Sequence, residues 1–389
     1  MNNSSIRLFP YFQPIVSSAS GEIAGYEALA RQRGADGNVK SAGELFLHPD
    51  ISDHQLRAWD RCVRRQALER FSELNDDSYL TLNISAAWID YIEDFGRLPT
   101  LLMLEEFEIA KNRIVIEITE TRGNLDKLLK AVAMYREQGL RIAIDDFGAG
   151  FSQLERVMAI QPDIIKLDMR LFQNAARGGI ETDVVHLLTR LAKRTGCRIV
   201  CEGVETDEDF LFGLNCGAQY MQGYLFSPAT ADFQESKRYY PKITTLRDEF
   251  LTHALTKQEF KNQFNDRIRK LMYYLQKKIS RSDFAIQYLS TELFEDSGLL
   301  HFYICDTQGN QITPNFNFLN NTWVTDTRQM GFNWAWRPYF YETLSFQTNN
   351  RVVASERYRD FSTDMLCKTF VLRLDENRIL LVDVVADWA

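Results

Sequence analysis

The chain has 389 residues, 45% of them hydrophobic and 25% charged, proportions of a globular protein that can bury a large core and not of a disordered one. Its net charge of −8 excludes sequence-independent binding of a nucleic-acid polymer, which needs a basic face. A small anionic substrate stays compatible with that charge wherever metal ions neutralise it locally.

Residues 1–10 carry no basic stretch followed by an apolar one, so no secretory signal is read there. The longest apolar runs, such as 114–116 and 379–382, fall far short of the ~20 residues of a spanning helix. A cytoplasmic location without a membrane partner is expected. Runs of β-rich sequence at 11–15, 23–29, 79–83, 114–117, 141–145, 163–166, 198–202 and 218–223 alternate, from residue 79 onward, with stretches of helical apolar spacing. Examples are Leu125, Leu128, Leu129, Val132, Met134 and Val184, Leu187, Leu188, Leu191. Repeated strand–helix units imply a parallel sheet, and a TIM-like (β/α)8 barrel over 1–235 fits better than an open sheet, which the pattern alone does not exclude.

Residues 236–293 change to a polar helical linker whose apolar positions, including Leu251, Leu255, Phe260, Phe264, Ile268, Leu271, Met272 and Leu275, are expected to pack on the barrel, the next domain or a partner chain. Residues 294–389 are aromatic and β-rich, with runs at 299–306, 366–374 and 378–386. They read as a small α+β domain on an antiparallel sheet with a turn at 306–310.

Nearly every apolar run of the barrel ends in a carboxylate, amide or ammonium: Asn83, Glu117, Asp145 with Asp146, Lys166, Glu202 and Gln222. In a barrel those ends converge on one rim. Crowded carboxylates raise one another's pKa or recruit a cation. All-oxygen ligand sets suit Mg²⁺ or Mn²⁺, and the absence of His and Cys from these positions disfavours zinc. Adjacent acids at 145 and 146 suit two ions ~3.5–4 Å apart, the arrangement used for in-line attack on a phosphodiester.

The segment Tyr26-Glu27-Ala28-Leu29-Ala30-Arg31 carries an E-A-L-x-R signature. It is followed or preceded in order by Phe12-Gln13-Pro14-Ile15, Leu82-Asn83-Ile84-Ser85, Glu117-Ile118-Thr119-Glu120, Asp145-Asp146-Phe147-Gly148-Ala149-Gly150, Ile165-Lys166-Leu167-Asp168, Glu202-Gly203-Val204-Glu205-Thr206 and Gln222-Gly223-Tyr224-Leu225-Phe226. Over residues 8–228 the chain resembles the EAL family of cyclic di-GMP phosphodiesterases. That resemblance implies two-ion hydrolysis of cyclic di-GMP to linear pGpG. Glu27, Asn83, Glu117 and Asp145 would ligate the first ion, and Asp145, Asp146 and Glu202 the second. Lys166 would hold the attacking water or stabilise phosphoryl charge, with Gln222 close to that network and Glu120 steadying the loop after Asp146. Gln13, Arg31 and Asp168 are placed as substrate contacts. The family's loop at 147–152 joins the site to a dimer contact, so a homodimer is expected.

One departure is visible: Ser227-Pro228 stands where the family usually has a basic residue before proline, which touches a peripheral substrate contact and not the metal set. The C-terminal residues resemble PAS-like and Cache-type sensor domains, and the whole chain resembles EAL proteins with a C-terminal PAS-like module of the YkuI type. Arg337, Tyr339 and Asp383 are candidates for a pocket holding a small polar ligand, against an aromatic core without one. The alternative function is a catalytically silent cyclic di-GMP receptor. Glu27 alone reads as a surface or salt-bridged residue, Asp145-Asp146 as a helix cap and loop pair, and Lys166 as a partner of Asp168. The six cysteines, Cys62, Cys197, Cys201, Cys216, Cys305 and Cys367, read as reduced and mostly buried thiols, and His48, His54, His186, His253 and His301 as structural or solvated.

Overall fold

A computed structural model describes residues 7–34, 36–46, 48–119, 124–148, 153–281, 285–290, 294, 297–320, 322–346 and 351–386. The chain divides into two compact units, Met1–Leu251 and Thr252–Ala389.

In the first unit the strands are β1 (Leu8–Ser17), β2 (Ile23–Arg33), β3 (Val39–Ser41), β4 (Tyr79–Ser85), β5 (Ile114–Thr119), β6 (Arg141–Phe147), β7 (Ile164–Leu167), β8 (Arg198–Cys201) and β9 (Tyr220–Met221). Their order β1-β9-β8-β7-β6-β5-β4-β2, with β1 also paired to β2, closes eight strands into a barrel, and β3 is added beside β2. Closure confirms the barrel reading but corrects its direction. β1 runs antiparallel to both neighbours, because β1 and β2 are joined by a short turn with no helix between them. The remaining neighbours are parallel, with helices such as Leu125–Glu137, Met169–Ala176 and Ile180–Thr195 on the outside.

The barrel interior is filled, not hollow. Ile15, Tyr79, Val115, Ala143, Ile164 and Val200 form one buried layer. Gly25 is required beside it, since a Cβ there would come within 2.6 Å of Tyr79. Successive inward side chains on a strand are two residues apart, so the next inward positions toward the rim are Glu117, Asp145, Lys166 and Glu202. An apolar floor and a polar rim therefore come from one alternation.

The helix Tyr240–Ile279 has 40 residues and is about 60 Å long. Ile243 and Leu246 near its start belong to the barrel-side core, whereas Phe264, Ile268, Leu271, Met272, Leu275 and Ile279 belong to the core of the second unit. Between them Leu251, Leu255 and Phe260 are exposed.

The second unit holds an antiparallel sheet of β10 (Leu299–Asp306), β11 (Asn315–Leu319), β12 (Thr322–Asp326), β13 (Val352–Ala354), β14 (Tyr358–Arg359), β15 (Leu366–Arg373) and β16 (Arg378–Val385), in the order β12-β11-β10-β16-β15-β13 with β14 on β15. One face packs Phe302, Ile304, Phe370, Leu380 and Val382 against the long helix, and the other packs Tyr303, Cys305, Val371, Ile379 and Leu381 against Trp334, Tyr339 and Phe340. The expected turn at 306–310 is present, with the Asp306 carboxylate accepting from the backbone N–H groups of Gln308 and Asn310.

Candidate metal centre and active site

Lys166 is the centre of the rim. Its side chain is 1% exposed, and Nζ lies 3.1 Å from Glu27 Oε2, 3.2 Å from Asp145 Oδ1, 2.6 Å from Glu202 Oε1 and against Glu117 Oε1. Pairing with Asp168 does not describe it. Burial alone would depress this ammonium, but Asp145, Glu117, Glu202 and Glu27 around it drive its pKa well above the usual lysine value.

Two groups of three carboxylates, Glu27/Glu117/Asp145 and Asp145/Asp146/Glu202, bring oxygens within metal-ligand reach, and Asp145 belongs to both. A regular strand would turn Asp145 and Asp146 to opposite faces. Here the β6–β7 register shifts between Ile144 and Phe147, and Asp146 takes a left-handed φ of 51°, so both acids serve the rim.

Burial forces Glu117 well above the ordinary carboxyl range, opposed by Lys166 and reinforced by Asp145, Glu27 and Glu202. Glu202 rises to about 8 through burial, against the pull of Lys166, and Asp146 to about 6 through partial desolvation and the charge of Asp145. The residues fit divalent ions. Glu117 is fully buried, yet its Oε2 accepts no hydrogen bond among the described residues. Five carboxylates against one ammonium leave 5 − 1 = 4 formal negative charges, the charge that two divalent cations carry.

Neighbouring amides orient the acids. Asn83 Nδ2 donates to Glu27 Oε1 at 2.9 Å and Gln222 Nε2 to Glu27 Oε2 at 2.7 Å. Rotating the Asn83 amide by half a turn presents its oxygen at the same place. Gln13 is brought in by the antiparallel β1, where it faces Glu27 across the ladder, and it also accepts from Gln222 at 3.3 Å. The carbonyl of Ser227, at the departure from the family pattern, holds the Gln13 amide at 3.2 Å.

Arg31 lies beside Glu27 and Tyr224; burial lowers its pKa and those two neighbours oppose the shift. Tyr224, 69% exposed, is a site neighbour that sequence reasoning passed over, although it lies inside a quoted motif. Asp168 has a structural duty: its Oδ1 accepts from the N–H groups of Arg170 and Leu171 and caps the helix Met169–Ala176. Glu120 and residues 149–152 lie outside the described residues.

Residues 3–229 match the EAL domain family. The chain belongs to the EAL family. Residues 241–388 of this EAL protein match the EAL-domain associated signalling protein domain. It is 30% identical over 390 residues to the uncharacterised EAL-domain containing protein YkuI of Bacillus subtilis strain 168, covering 97% of this chain and 94% of that one. A crystal structure of Bacillus subtilis YkuI in complex with substrate c-di-GMP and calcium superposes with a TM-score of 0.84 at 26% identity, over 98% of this chain and 95% of that chain. The probable cyclic di-GMP phosphodiesterase PdeA of Escherichia coli K12 is 33% identical over 224 residues, 56% of this chain but only 30% of PdeA. A Klebsiella pneumoniae BlrP1 complex with manganese and cyclic di-GMP matches 57% of this EAL protein and 56% of that chain with a TM-score of 0.50 at 28% identity.

In the second unit, Tyr339 and Asp383 share one buried neighbourhood with Tyr358 and Thr369, and the Arg337 guanidinium lies 4.5 Å from the centroid of the Tyr358 ring. The three candidate pocket residues are thus brought together. Five of the six cysteines are buried and all are free, with Cys62 exposed.

Proposed function

We propose that this chain hydrolyses cyclic di-GMP to linear pGpG with two divalent ions, Mg²⁺ or Mn²⁺. The observation that carries this reading is Asp145, shared by two carboxylate triplets around a buried ammonium. When bound, the ions supply the positive charge that lowers the pKa of water and neutralises the phosphodiester. Glu27, Asn83, Glu117 and Asp145 would hold the first ion, and Asp145, Asp146 and Glu202 the second. Lys166, at the centre of these acids, would hold the attacking oxygen and stabilise phosphoryl charge. Arg31 clamps a phosphate by charge-assisted hydrogen bonds, and Gln13 and Gln222 keep Glu27 and the substrate in register.

Purified protein incubated with cyclic di-GMP and Mn²⁺ should release pGpG, and Glu27→Ala should abolish the release. Tight binding of intact cyclic di-GMP without turnover would overturn the enzymatic reading in favour of a receptor. The same proposal extends to a cytoplasmic homodimer whose second unit tunes the barrel through the long helix. The exposed Leu251, Leu255 and Phe260 on that helix supply apolar surface for a second copy. Analytical ultracentrifugation of a chain carrying Leu255→Glu and Phe260→Glu tests the dimer. An unchanged sedimentation coefficient would remove this face from it.

A further inference from the structure

The second unit contains a buried cluster of ligating side chains that barrel chemistry does not use. His301 on β10 stands directly opposite Asp383 on β16, and Asp383 stands opposite Thr369 on β15. Asp360 comes in from the segment after β14. His301 is 0%, Asp383 1% and Asp360 5% exposed, so all three charges are withdrawn from water.

Both carboxylates aim at one ring nitrogen. Asp383 Oδ2 lies 2.9 Å and Asp360 Oδ1 3.6 Å from His301 Nε2. That nitrogen has at most one proton to give, so a hydrogen bond satisfies one of the two oxygens and not both. The other ring nitrogen, Nδ1, is buried and has no hydrogen-bond partner among the described residues. Here the negative charge is concentrated on one side of the ring.

The remaining oxygens of these acids are pinned, which fixes the aim of the others. Asp360 Oδ2 accepts from Ser362 N at 3.0 Å, Ser362 Oγ at 2.6 Å, Thr363 N at 2.7 Å and Thr363 Oγ1 at 2.8 Å. Asp383 Oδ1 accepts from the Tyr358 hydroxyl at 3.3 Å, and that hydroxyl is 2.6 Å from Thr369 Oγ1. Ligands bound to a tetrahedral ion at ~2.0–2.2 Å lie about 3.4 Å from one another. The two separations from Nε2, 2.9 and 3.6 Å, bracket that value.

We infer that the second unit binds a divalent transition-metal cation of the Zn²⁺ class through His301 Nε2, Asp383 Oδ2 and Asp360 Oδ1. The imidazole distinguishes this site from the all-oxygen rim of the barrel and selects a softer ion than Mg²⁺. Pinning of the second carboxylate oxygens by Ser362, Thr363 and Tyr358 is the kind of outer support that orients metal ligands. The inference does not depend on turnover in the barrel.

The test uses the full chain carrying Asp145→Asn, which removes the carboxylate common to both barrel groups, stripped with a chelator and titrated with Zn²⁺ alone. One equivalent of Zn²⁺ should remain bound after gel filtration, and Co²⁺ in its place should give visible d–d absorption of a low-coordinate N/O site. Adding His301→Ala should weaken Zn²⁺ at least 100-fold and remove the Co²⁺ bands. If that variant fails to fold, Asp360→Asn, nearly isosteric, decides the matter with the same readouts. Absence of tight Zn²⁺ binding in the Asp145→Asn chain overturns the inference, as does undiminished binding in a folded His301→Ala or Asp360→Asn chain.

Discussion

The barrel rim and the sheet of the second unit each bury a basic side chain among carboxylates, but they solve the problem of buried charge differently. At the rim one ammonium contacts four acids, and Asp146 adds a fifth carboxylate to the ligand groups. In the second unit one imidazole faces two acids whose outer oxygens are already tied to hydroxyl and backbone donors. The difference teaches that a large charge imbalance at the mouth of a barrel suits exchangeable ions and an anionic substrate. A small imbalance in a closed, hydrogen-bonded setting suits one firmly held group.

The sharpest way to break this comparison is at Lys166. Replacing it with Met should lower turnover by ~10²–10³, since on the proposed mechanism it removes a preorganised charge aimed at the reacting phosphoryl group. Mn²⁺ should bind at least as tightly, because a competing cation has been deleted. A parallel loss of metal in calorimetry would mean that the ammonium organises the ligands instead. Gly223→Ala comes next. A Cβ at Gly223 would sit 2.1 Å from the Val204 carbonyl oxygen, so the strand end carrying Gln222 must move. A stability loss of about 1–3 kcal/mol in denaturant melts, with a fall in kcat, is expected.

The effect of pH is smaller and carries a definite sign. Burial lets Glu202 keep its proton up to about pH 8, whereas the unfolded side chain loses it near its ordinary 4.5. Between those values the folded chain binds the extra proton, so its metal-free stability from this residue falls as pH rises and levels off above about 8. Ion binding has the opposite slope, because Mn²⁺ must displace that proton. Melting temperature in chelator and Mn²⁺ affinity, each followed from pH 6 to 9, should diverge, and Glu202→Gln should flatten both trends. The smallest effect belongs to Asp168→Ala, which removes a helix cap at a cost of about 1 kcal/mol. If kcat falls more than a few-fold while the melt moves only that much, Asp168 also touches substrate.

Much of the barrel site was legible because its chemistry is local. Glu117, Asp145, Lys166 and Glu202 each end or directly follow a short β-rich run, and the period of two that sets Val115, Ala143, Ile164 and Val200 into the floor sets them onto the rim. The direction of β1 was not legible, since an apolar run reads the same whichever way its strand is paired. Nor was the left-handed turn at Asp146, which depends on a register shift against β7. His301 read as structural or solvated because the two carboxylates that face it lie 59 and 82 residues away.

By itself, then, the sequence determined the eight barrel strands and the three long strands of the second unit, though not the short strands β3 and β11–β14, and it showed which barrel strand ends are acidic and that oxygen donors dominate the barrel site. Tertiary structure alone decided that Lys166 occupies the middle of those acids, that Gln13 reaches Glu27 from an antiparallel strand, and that His301, Asp360 and Asp383 share one point. Alternation along a strand is a property of neighbouring residues, whereas pairing across a sheet is fixed only when distant segments compete for the same core.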